Sequence, residues 1–339
     1  MFKLAKPFFI TCETPLHAGS GNDLGIIDLP IQRERHTDFP KIEGSSLKGS
    51  IREAFEERCP DSDVEKKVKI HLAFGYDEDE AKKDEKVKNV FEKDTDNKSF
   101  AGALGFTDAR ILLFPVKSMK GVFAWITCPK VLENLKKDLS HGKDVDFKSN
   151  KDGKDIPTPF PSNDQLTEGH CAVANKGHVA IKENVVLEEY AFEMQEDIDI
   201  SQIAKKLVEL TGNKVISDKL VVLSDDDFRD FVTLSTEVIT RTKIDNETGT
   251  VKSGNLFTEE YLPSETIMYS LALATTIFNK DASLRNRFTD ENKVMDFFKD
   301  GFADGKDVMQ IGGNATIGKG IVTIKFCEKE ENNVESERN

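Results

Sequence analysis

The sequence predicts a mixed α+β fold, and three stretches of it carry that prediction. An apolar, β-prone run ends at residues 8–11, and residues 47–55 place apolar side chains at the i, i+4 and i+7 positions of a helix. Residues 238–263 alternate in polarity on both sides of a D-N-E-T-G-T turn, as a long β-hairpin does. Strands and helices are therefore interspersed along one chain.

A glycine-rich loop follows the first strand. Prolines and glycines between residues 15 and 25 end the strand and let a ligand approach the main chain. Asp28 comes next, and a basic stretch containing Arg33 leads to the helix, whose start carries Ser45, Ser46 and Lys48. Because a helix N-terminus presents unpaired amides, this stretch is suited to bind phosphate. An ordinary loop and a capped helix would explain it equally well.

The chain between residues 56 and 168 changes character twice. Mixed charges over 56–100 predict a solvated helical insertion with a disordered or mobile tip. Residues 101–114 and 121–127 are apolar strands that we expect to pair in the core, with a helix at 131–139. Residues 141–168 are polar and rich in turn formers, which predicts a long loop.

The second half alternates short strands with helices. We predict strands at 179–181, 185–187, 190–192, 221–223, 266–278 and 321–326, and helices at 198–210, 225–234 and 290–302. The charged residues 328–339 are expected to form a disordered tail.

Composition narrows the class of protein. A chain of 339 residues with 38% hydrophobic and 32% charged residues can bury a sizeable core. It contains no apolar run long enough to span a membrane, and its first residues lack a secretory leader, so we expect a cytoplasmic location. The 5 cysteines lie far apart without a C-x-x-C pair, which favours reduced thiols over disulfides or a zinc site.

The net charge of −14 argues against a nucleic-acid partner, but the acid is unevenly distributed. Residues 61–100 and 183–230 are rich in Asp and Glu, whereas residues 31–52 are net basic. An acidic outer surface is compatible with one basic groove.

Residues 312–320, G-G-N-A-T-I-G-K-G, come close to a P-loop, since Gly313, Gly318 and Lys319 fit G-x-x-x-x-G-K. Gly320 replaces the hydroxyl residue that magnesium requires, and a strand rather than a helix is predicted to follow. An NTPase is therefore disfavoured. The loop can still cradle polymer phosphates with its amides and one lysine; the alternative is a tight hairpin turn.

His17 and Asp28 are two further candidates for chemistry. They lie on either side of the glycine loop, which lets them converge. Such a pair can perform general acid–base catalysis, or the carboxylate can hold a divalent cation. A structural hydrogen bond is the alternative interpretation. The other histidines show no ligand spacing, and the single Trp125 sits in a strand expected in the core.

Four separated motifs occur together in a recognisable order. They are L-H-A-G-S-G with L-G-I-I-D-L-P-I-Q-R-E-R-H-T-D-F-P-K-I-E-G-S-S-L-K-G, then F-T-D-A-R-I-L-L-F-P-V-K-S, then T-G-T-V with F-T-E-E-Y-L-P, and lastly G-G-N-A-T-I-G-K-G. With them, almost the whole chain resembles the RAMP superfamily, and within it the repeated backbone subunits of type III-B CRISPR effectors.

The resemblance implies an architecture and a set of partners. The fold would be a ferredoxin-like (RRM-related) palm spanning 1–327, with a helical fingers insertion at 56–100, a β-hairpin thumb at 236–263 and the disordered tail at 328–339. Copies would stack head to tail along crRNA beside the other subunits of the Cmr complex. The thumbs would interrupt the duplex with complementary target RNA at regular intervals, without membrane contact.

The resemblance also implies residue roles. Asp28 would be required for cutting target RNA, assisted by His17, Glu259 and Tyr261, with Asp28 as the ligand of a divalent metal, Mg or Mn. The RNA-binding residues would be Ser45, Ser46, Lys48, Arg52, Arg33, Arg241, Gly313, Gly318 and Lys319. The expected function is thus that of a target-cleaving endoribonuclease within an assembled complex. Two alternatives stay open: a non-catalytic crRNA-binding filament subunit, and a stand-alone crRNA-processing endonuclease.

Overall fold

The fold is built around the apolar strand β1, which lies inside a large mixed sheet. The computed structural model describes residues 2–21, 25–77, 84–91, 99–141, 160–162, 164–279 and 281–327. Its strands are β1 (Leu4–Cys12), β2 (Lys41–Ile42), β3 (Gly75–Asp77), β4 (Ser99–Ala101), β5 (Leu104–Phe106), β6 (Ala109–Ser118), β7 (Val122–Thr127), β8 (His170–Val173), β9 (Ala180–Ile181), β10 (Asn184–Leu187), β11 (Tyr190–Met194), β12 (Leu220–Leu223), β13 (Glu237–Ile244), β14 (Val251–Tyr261), β15 (Ile267–Ala274), β16 (Val308–Gln310) and β17 (Ile321–Phe326).

Helices fill the connections between these strands. They are α1 (Gly44–Glu57), α2 (Val64–Phe74), α3 (Glu85–Phe91), α4 (Pro129–His141), α5 (Lys176–Val179), α6 (Ser201–Thr211), α7 (Ile216–Lys219), α8 (Asp225–Leu234), α9 (Ala282–Arg285) and α10 (Glu291–Asp300), with a 3-10 turn at Ala315–Ile317. The mixed α+β class is confirmed.

One half of the sheet has the order β17-β1-β15-β6, with antiparallel neighbours throughout. α1 follows β1, and α10 precedes the last strands. The two helices meet through Phe55 and Phe298, whose ring centroids are 6.4 Å apart, and Phe298 packs on Phe8 of β1 at 5.7 Å. Both helices therefore bury their apolar stripes against the same core.

The other half closes on itself. Strands β6, β7, β12, β8, β11 and β10 follow one another, and a bridge between Leu187 and Ser118 joins β10 back to β6. The six strands thus form a barrel-like ring. Trp125 lies at 1% exposure in this half and donates its indole N–H to the Glu265 carbonyl at 2.8 Å, so its predicted core position is confirmed.

The described part of the 56–100 insertion contains the helices α2 and α3 and also the paired strands β3 and β4, and it is less solvated than its charge suggests. α2 buries Val68, Ile70, Leu72 and Phe74. The composition of the segment does not reveal them because lysines and glutamates surround them. Tyr76 also stacks on Phe91, with centroids 4.3 Å apart. The expected tip, most of the 141–168 loop and the 328–339 tail lie outside the described residues.

The predicted hairpin is confirmed as β13 and β14. The two strands pair antiparallel from Glu237↔Tyr261 outward, with a register shift between Thr242 and Ile244. No helix in the described ranges is long and apolar enough to cross a bilayer.

Two glycines give opposite predictions for stability. A Cβ at Gly102 would stand 2.4 Å from the Ala73 carbonyl oxygen, so Gly102→Ala should destabilise the fold by about 1–3 kcal/mol. A Cβ at Gly49 in α1 meets nothing within 4 Å, so Gly49→Ala should stabilise by about 0.5–1 kcal/mol. Urea unfolding of both variants checks this, and equal effects would contradict the close packing at Gly102.

Candidate nucleic-acid interface

The candidate site is assembled on one edge of β14. β13 occupies the first edge, and two loop segments occupy the other, which we call the outer edge of β14. Leu29 bridges to Glu259 in the parallel sense, and Leu16 bridges to Leu262 in the antiparallel sense. The glycine loop between Leu16 and Leu29 therefore starts and ends on the same strand, which brings His17 and Asp28 alongside the hairpin.

Asp28 is exposed beside Thr258. Its Oδ2 accepts hydrogen bonds from the Thr258 backbone N–H at 2.8 Å and from the Thr258 hydroxyl at 2.9 Å. The backbone bond, followed by the hydroxyl bond, lowers the pKa of Asp28 below its ordinary value. Asp28 is therefore an ionised, oriented carboxylate at neutral pH, with Oδ1 directed away from these two bonds.

His17 is held in one orientation by the main chain of Glu260, two residues after Thr258 on β14. Its Nδ1 lies 2.7 Å from the Glu260 carbonyl oxygen, and because a carbonyl can only accept, Nδ1 carries the proton. In this tautomer Nε2 carries no proton, and the described residues provide no hydrogen-bond partner for it. A Cβ on Gly19 would lie 2.7 Å from Nε2, so only glycine leaves this nitrogen uncovered there.

His17 and Asp28 are close in the fold but do not form a pair. No hydrogen bond joins them within the described ranges. Asp28 bonds Thr258, whereas His17 packs on Tyr261 with ring centroids 5.5 Å apart. Thr258 and Glu260 are two residues apart, so the two side chains are separated by about 7 Å along the strand.

Glu259 and Tyr261 form the centre of a hydrogen-bond network under this edge. Glu259 Oε2 accepts from Arg241 Nε at 2.9 Å and from the Tyr261 hydroxyl at 2.7 Å. Asn314 donates from Nδ2 to Glu259 Oε1 at 3.0 Å and to the Tyr261 hydroxyl at 2.9 Å. With Glu259 at 7% and Tyr261 at 0% exposure, both support the site from beneath.

The network determines the protonation of its members. Burial alone would raise the pKa of Glu259, but hydrogen bonds from Tyr261, Asn314 and Arg241 outweigh it and hold the pKa below its ordinary value. For Tyr261, burial is the largest effect and raises the pKa. The pair is thus carboxylate and neutral phenol at neutral pH.

The glycine loop at 312–320 docks on the main chain beside His17. Gly313 N–H donates to the His17 carbonyl at 2.9 Å, and Gly320 N–H donates to the Pro15 carbonyl at 2.9 Å. Gly312 has φ +81°, and a Cβ there would stand 2.2 Å from the His17 oxygen. The strand β17 follows the loop, as predicted, so the P-loop helix is missing.

Lys319 and Gly318 lie on the open side of this loop. Lys319 Nζ stands 5.1 Å from the Tyr261 ring centroid, and no carboxylate of the described residues pairs with it. Gly318 is exposed at φ +72°. The amides of these two residues and of Gly313 already donate to carbonyls of the chain, so the phosphate contacts predicted for them stay predictions.

The N-terminus of α1 reaches the same region through Gln32. The Gln32 Nε2 donates to the Gly19 carbonyl at 3.0 Å and to the Ser46 hydroxyl at 3.5 Å. Ser45 and Ser46 are exposed in the first turn. However, the Gly44 amide already donates to Asp108 Oδ1 at 2.8 Å, so a carboxylate of the protein occupies part of the helix end.

Four predicted RNA-binding cations are engaged within the chain. Lys48 donates to the Leu104 carbonyl at 3.0 Å, and burial followed by the charge of Arg52 lowers its pKa. Arg52 bonds Glu56 at 2.7 Å on the side of the insertion. Arg241 is held by Glu259 and Tyr261, and Arg33 pairs with Glu260 at 2.5 Å. Their RNA contacts stay predictions, and Arg33 in particular serves an internal ion pair.

The predicted divalent metal is not matched by a ligand set. No group of three potential ligand residues occurs among the described residues. Asp28 contributes one carboxylate whose Oδ2 already accepts two hydrogen bonds. These residues do not by themselves fit a protein-built site for Mg or Mn.

The family of the chain follows from comparison with known protein families. The model of the RAMP superfamily matches residues 9–323. The chain belongs to the RAMP superfamily.

Individual RAMP proteins resemble it over nearly their whole length. The chain is 37% identical over 325 residues to the CRISPR system Cmr endoribonuclease Cmr4 of Pyrococcus furiosus, covering 94% of each chain. The crystal structure of oligomeric Cmr4 from that organism has a TM-score of 0.60 at 30% identity, over 95% of this chain and 97% of that one. A chain of the type III-B Cmr-beta complex bound to cognate target RNA has a TM-score of 0.64 at 23% identity, over 96% and 98% respectively, and shows the fold alone.

Sequence reasoning missed Thr258, Glu260 and Asn314. Asn314 has φ +66°, a conformation that asparagine tolerates, and G-G-N was the available signal for it. Thr258 and Glu260 lie inside the quoted F-T-E-E-Y-L-P motif of this RAMP protein, but their partners are more than 200 residues away. No local pattern predicts such pairs.

Tyr261→Phe tests the Glu259 network. Removing the hydroxyl should raise the pKa of Glu259 and destabilise the fold at pH 7 by about 1–3 kcal/mol. Because the folded pKa lies below the ordinary 4.5, the stabilisation is present above pH 4.5 and is lost as the pH falls through the folded value. In urea unfolding, the difference in unfolding free energy between wild type and Tyr261→Phe should shrink as the pH is lowered from 7 to 3. The control Tyr190→Phe, at an exposed tyrosine, should not differ from wild type. A pH-independent difference would contradict the network.

Proposed function

We propose that this RAMP protein is a crRNA-binding backbone subunit, repeated head to tail, of a type III-B CRISPR effector that cuts complementary target RNA. The observation that carries the proposal is Asp28, an exposed and ionised carboxylate fixed to the root of the hairpin through Thr258. Its partners would be crRNA, target RNA, further copies of the chain and the other Cmr subunits, in the cytoplasm.

Two relatives support this role. The Pyrococcus furiosus relative is named a Cmr endoribonuclease, and the similar crystal structure is of an oligomeric protein. At 37% identity over 94% of the chain, transfer of the endoribonuclease activity is well supported. Stacking of copies would place one Asp28 at each repeat of the filament.

We further propose how the fold divides. The antiparallel order β17-β1-β15-β6, with α1 after its first strand and α10 before its last, supports a ferredoxin-like palm. The 56–100 insertion would be the fingers, and 236–263 the thumb. The exposed Leu256 and Phe257 on β14 would contact bases at the point where the thumb interrupts the duplex.

The reaction that suits these groups is attack by a ribose 2′-hydroxyl on the adjacent phosphate. An unstacked nucleotide gives the hydroxyl the freedom to align with the phosphorus. Asp28 Oδ1 would accept the hydroxyl proton as the new P–O bond forms and the bond to the 5′-oxygen breaks. His17, in its doubly protonated imidazolium form, would donate the Nε2 proton to the leaving 5′-oxygen, while Nδ1–H stays bonded to the Glu260 carbonyl. Glu259 and Tyr261 would hold His17 and the glycine loop in place.

The prediction of a divalent metal rests on Asp28 alone. In enzymes that act on phosphates, Mg²⁺ commonly binds only one or two protein carboxylates and takes its other ligands from substrate phosphates and water. Asp28 would be the protein ligand in such an arrangement, but the described residues do not build the site. We therefore assign no step of the reaction to a metal.

RNA binding would rest on few groups of each copy. The 312–320 loop offers the Lys319 side chain and the first turn of α1 offers Ser45 and Ser46. Most amides of the loop donate to carbonyls of the chain, and Arg33 and Arg241 are used internally. A site of this kind binds a phosphate backbone without reading its sequence. That property suits a subunit that must accept any guide.

Asp28→Asn in the assembled complex should slow target cleavage by about 10²-fold or more, with crRNA binding unchanged. Single-turnover cleavage of labelled target RNA is the measurement. Asp290→Asn is the matched control, since this aspartate lies outside the site and caps α10, and asparagine caps equally well.

Undiminished cutting by Asp28→Asn at every site would remove the catalytic assignment and leave the non-catalytic filament subunit. The third candidate is a stand-alone processing enzyme, which would cut precursor crRNA without partners. Incubating the isolated protein with precursor crRNA tests it.

Lys319→Gln should weaken crRNA binding and reduce the salt dependence of log K by about 0.7, the contribution of one phosphate contact on a single strand. Filter binding over a range of KCl concentrations measures this slope. Lys176→Gln, which removes an exposed lysine paired with Glu183 and Glu196, should leave the slope unchanged. An unaltered slope in Lys319→Gln would exclude a phosphate contact there.

A further inference from the structure

Glu260 is a buried carboxylate that the proposed reaction does not use. It is 2% exposed, and all three of its side-chain partners are donors. Oε2 accepts from the Ile31 backbone N–H at 3.0 Å. Oε1 accepts from Arg33 Nη2 at 2.5 Å and from the Thr236 hydroxyl at 2.8 Å.

The main chain of the same residue reaches both candidate catalytic segments. Its N–H donates to the Leu29 carbonyl at 3.0 Å, directly after Asp28. Its carbonyl accepts from His17 Nδ1 at 2.7 Å. One residue therefore touches the segment that directly follows Asp28, the imidazole of His17, and Thr236 at the start of the hairpin.

Arg33 extends this contact into the body of the protein. Besides Glu260, its guanidinium donates to the Asp38 carbonyl at 2.8 Å and to the Val232 carbonyl in α8 at 3.0 Å. The arginine side chain is 19% exposed and the glutamate side chain 3%. The ion pair thus joins the Asp28 loop, the hairpin root and α8.

We infer that Glu260 is a positioning residue for target cleavage, which locks the Asp28 loop and His17 to the hairpin root through Ile31, Arg33 and Thr236. The inference rests on the proposed function for its catalytic consequence. Its structural half, the fixing of the loop, can be measured without cleavage.

Glu260→Gln is a sharp test because the side chain keeps its shape. All three partners donate, so an amide nitrogen in either position must place N–H against a donor. The ion pair with Arg33 also loses its charge. A misplacement of about 1 Å in a reacting group can slow a reaction by about 10²-fold, even when substrate binding is intact.

The experiment compares wild type, Glu260→Gln, Asp28→Asn and Asp138→Asn in the assembled complex. Asp138→Asn is the matched control. It removes a partly buried ion pair, in which Arg110 Nη1 and Asp138 Oδ2 are 3.1 Å apart, and Asp138 lies in α4 rather than beside β14. Three quantities are measured: crRNA affinity, single-turnover cleavage at saturating target, and hydrogen exchange of the peptide covering residues 25–33 in the full chain.

For Glu260→Gln we expect unchanged crRNA affinity, cleavage slower by about 10- to 100-fold, and exchange of residues 25–33 faster by about tenfold. Asp138→Asn should lose as much thermal stability as Glu260→Gln. It should keep the wild-type cleavage rate and the wild-type hydrogen exchange of residues 25–33. Wild-type cleavage or unchanged exchange in Glu260→Gln overturns the inference.

The failure of the proposed function gives a different pattern. If Asp28→Asn cuts normally, the catalytic assignment fails, and the exchange result alone decides whether Glu260 fixes the loop. If Glu260→Gln does not fold, Arg33→Lys takes its place. Lysine can reach Glu260 but not both carbonyls at once, so slower cleavage with unchanged crRNA affinity is expected, and a wild-type rate overturns the inference.

Discussion

The outer edge of β14 is the constraint on which the site depends. An uncovered strand edge presents unpaired amides and carbonyls, and in this protein two loop segments cover it at Leu29 and Leu16. Those segments have little regular structure of their own, so the strand determines where Asp28 and His17 lie. The same strand is one arm of the hairpin. The site and the hairpin root therefore share one strand, and the thumb proposed here would carry the Asp28 carboxylate with it.

Electrostatics in this region are mostly internal. Arg33 neutralises Glu260, Arg241 neutralises Glu259, and Lys48 and Arg52 bond groups of the chain. With a net charge of −14, a single copy of the proposed subunit would hold RNA through few groups, among them Lys319 and the start of α1. Each contact of this type is weak, but copies bound side by side on one strand add their contacts with little further loss of entropy. A repeated subunit suits such a surface.

Much of this architecture follows from local sequence patterns. The hairpin, α1 with its apolar stripe, the strand after the glycine loop and the core position of Trp125 all come from periodicity and turn chemistry. The motif residues His17, Glu259 and Tyr261 do meet in the fold. The sequence does not reveal the separation of His17 from Asp28 or the use of Arg33 by Glu260, because both depend on pairs distant in sequence. The buried residues of α2 form a local pattern, but the charged residues around them dominate the composition of the segment.

The position of β1 between β15 and β17 has a consequence for synthesis of the protein. Neither neighbour of the first strand exists until residues 267–274 and 321–326 have been made. At about 5–20 residues per second, a ribosome needs roughly 10 to 50 s to travel from β1 to β15. During that interval the apolar N-terminal segment must stay unpaired or be shielded by a chaperone. We therefore expect slow maturation, and recombinant yield that improves at low temperature or with chaperone co-expression.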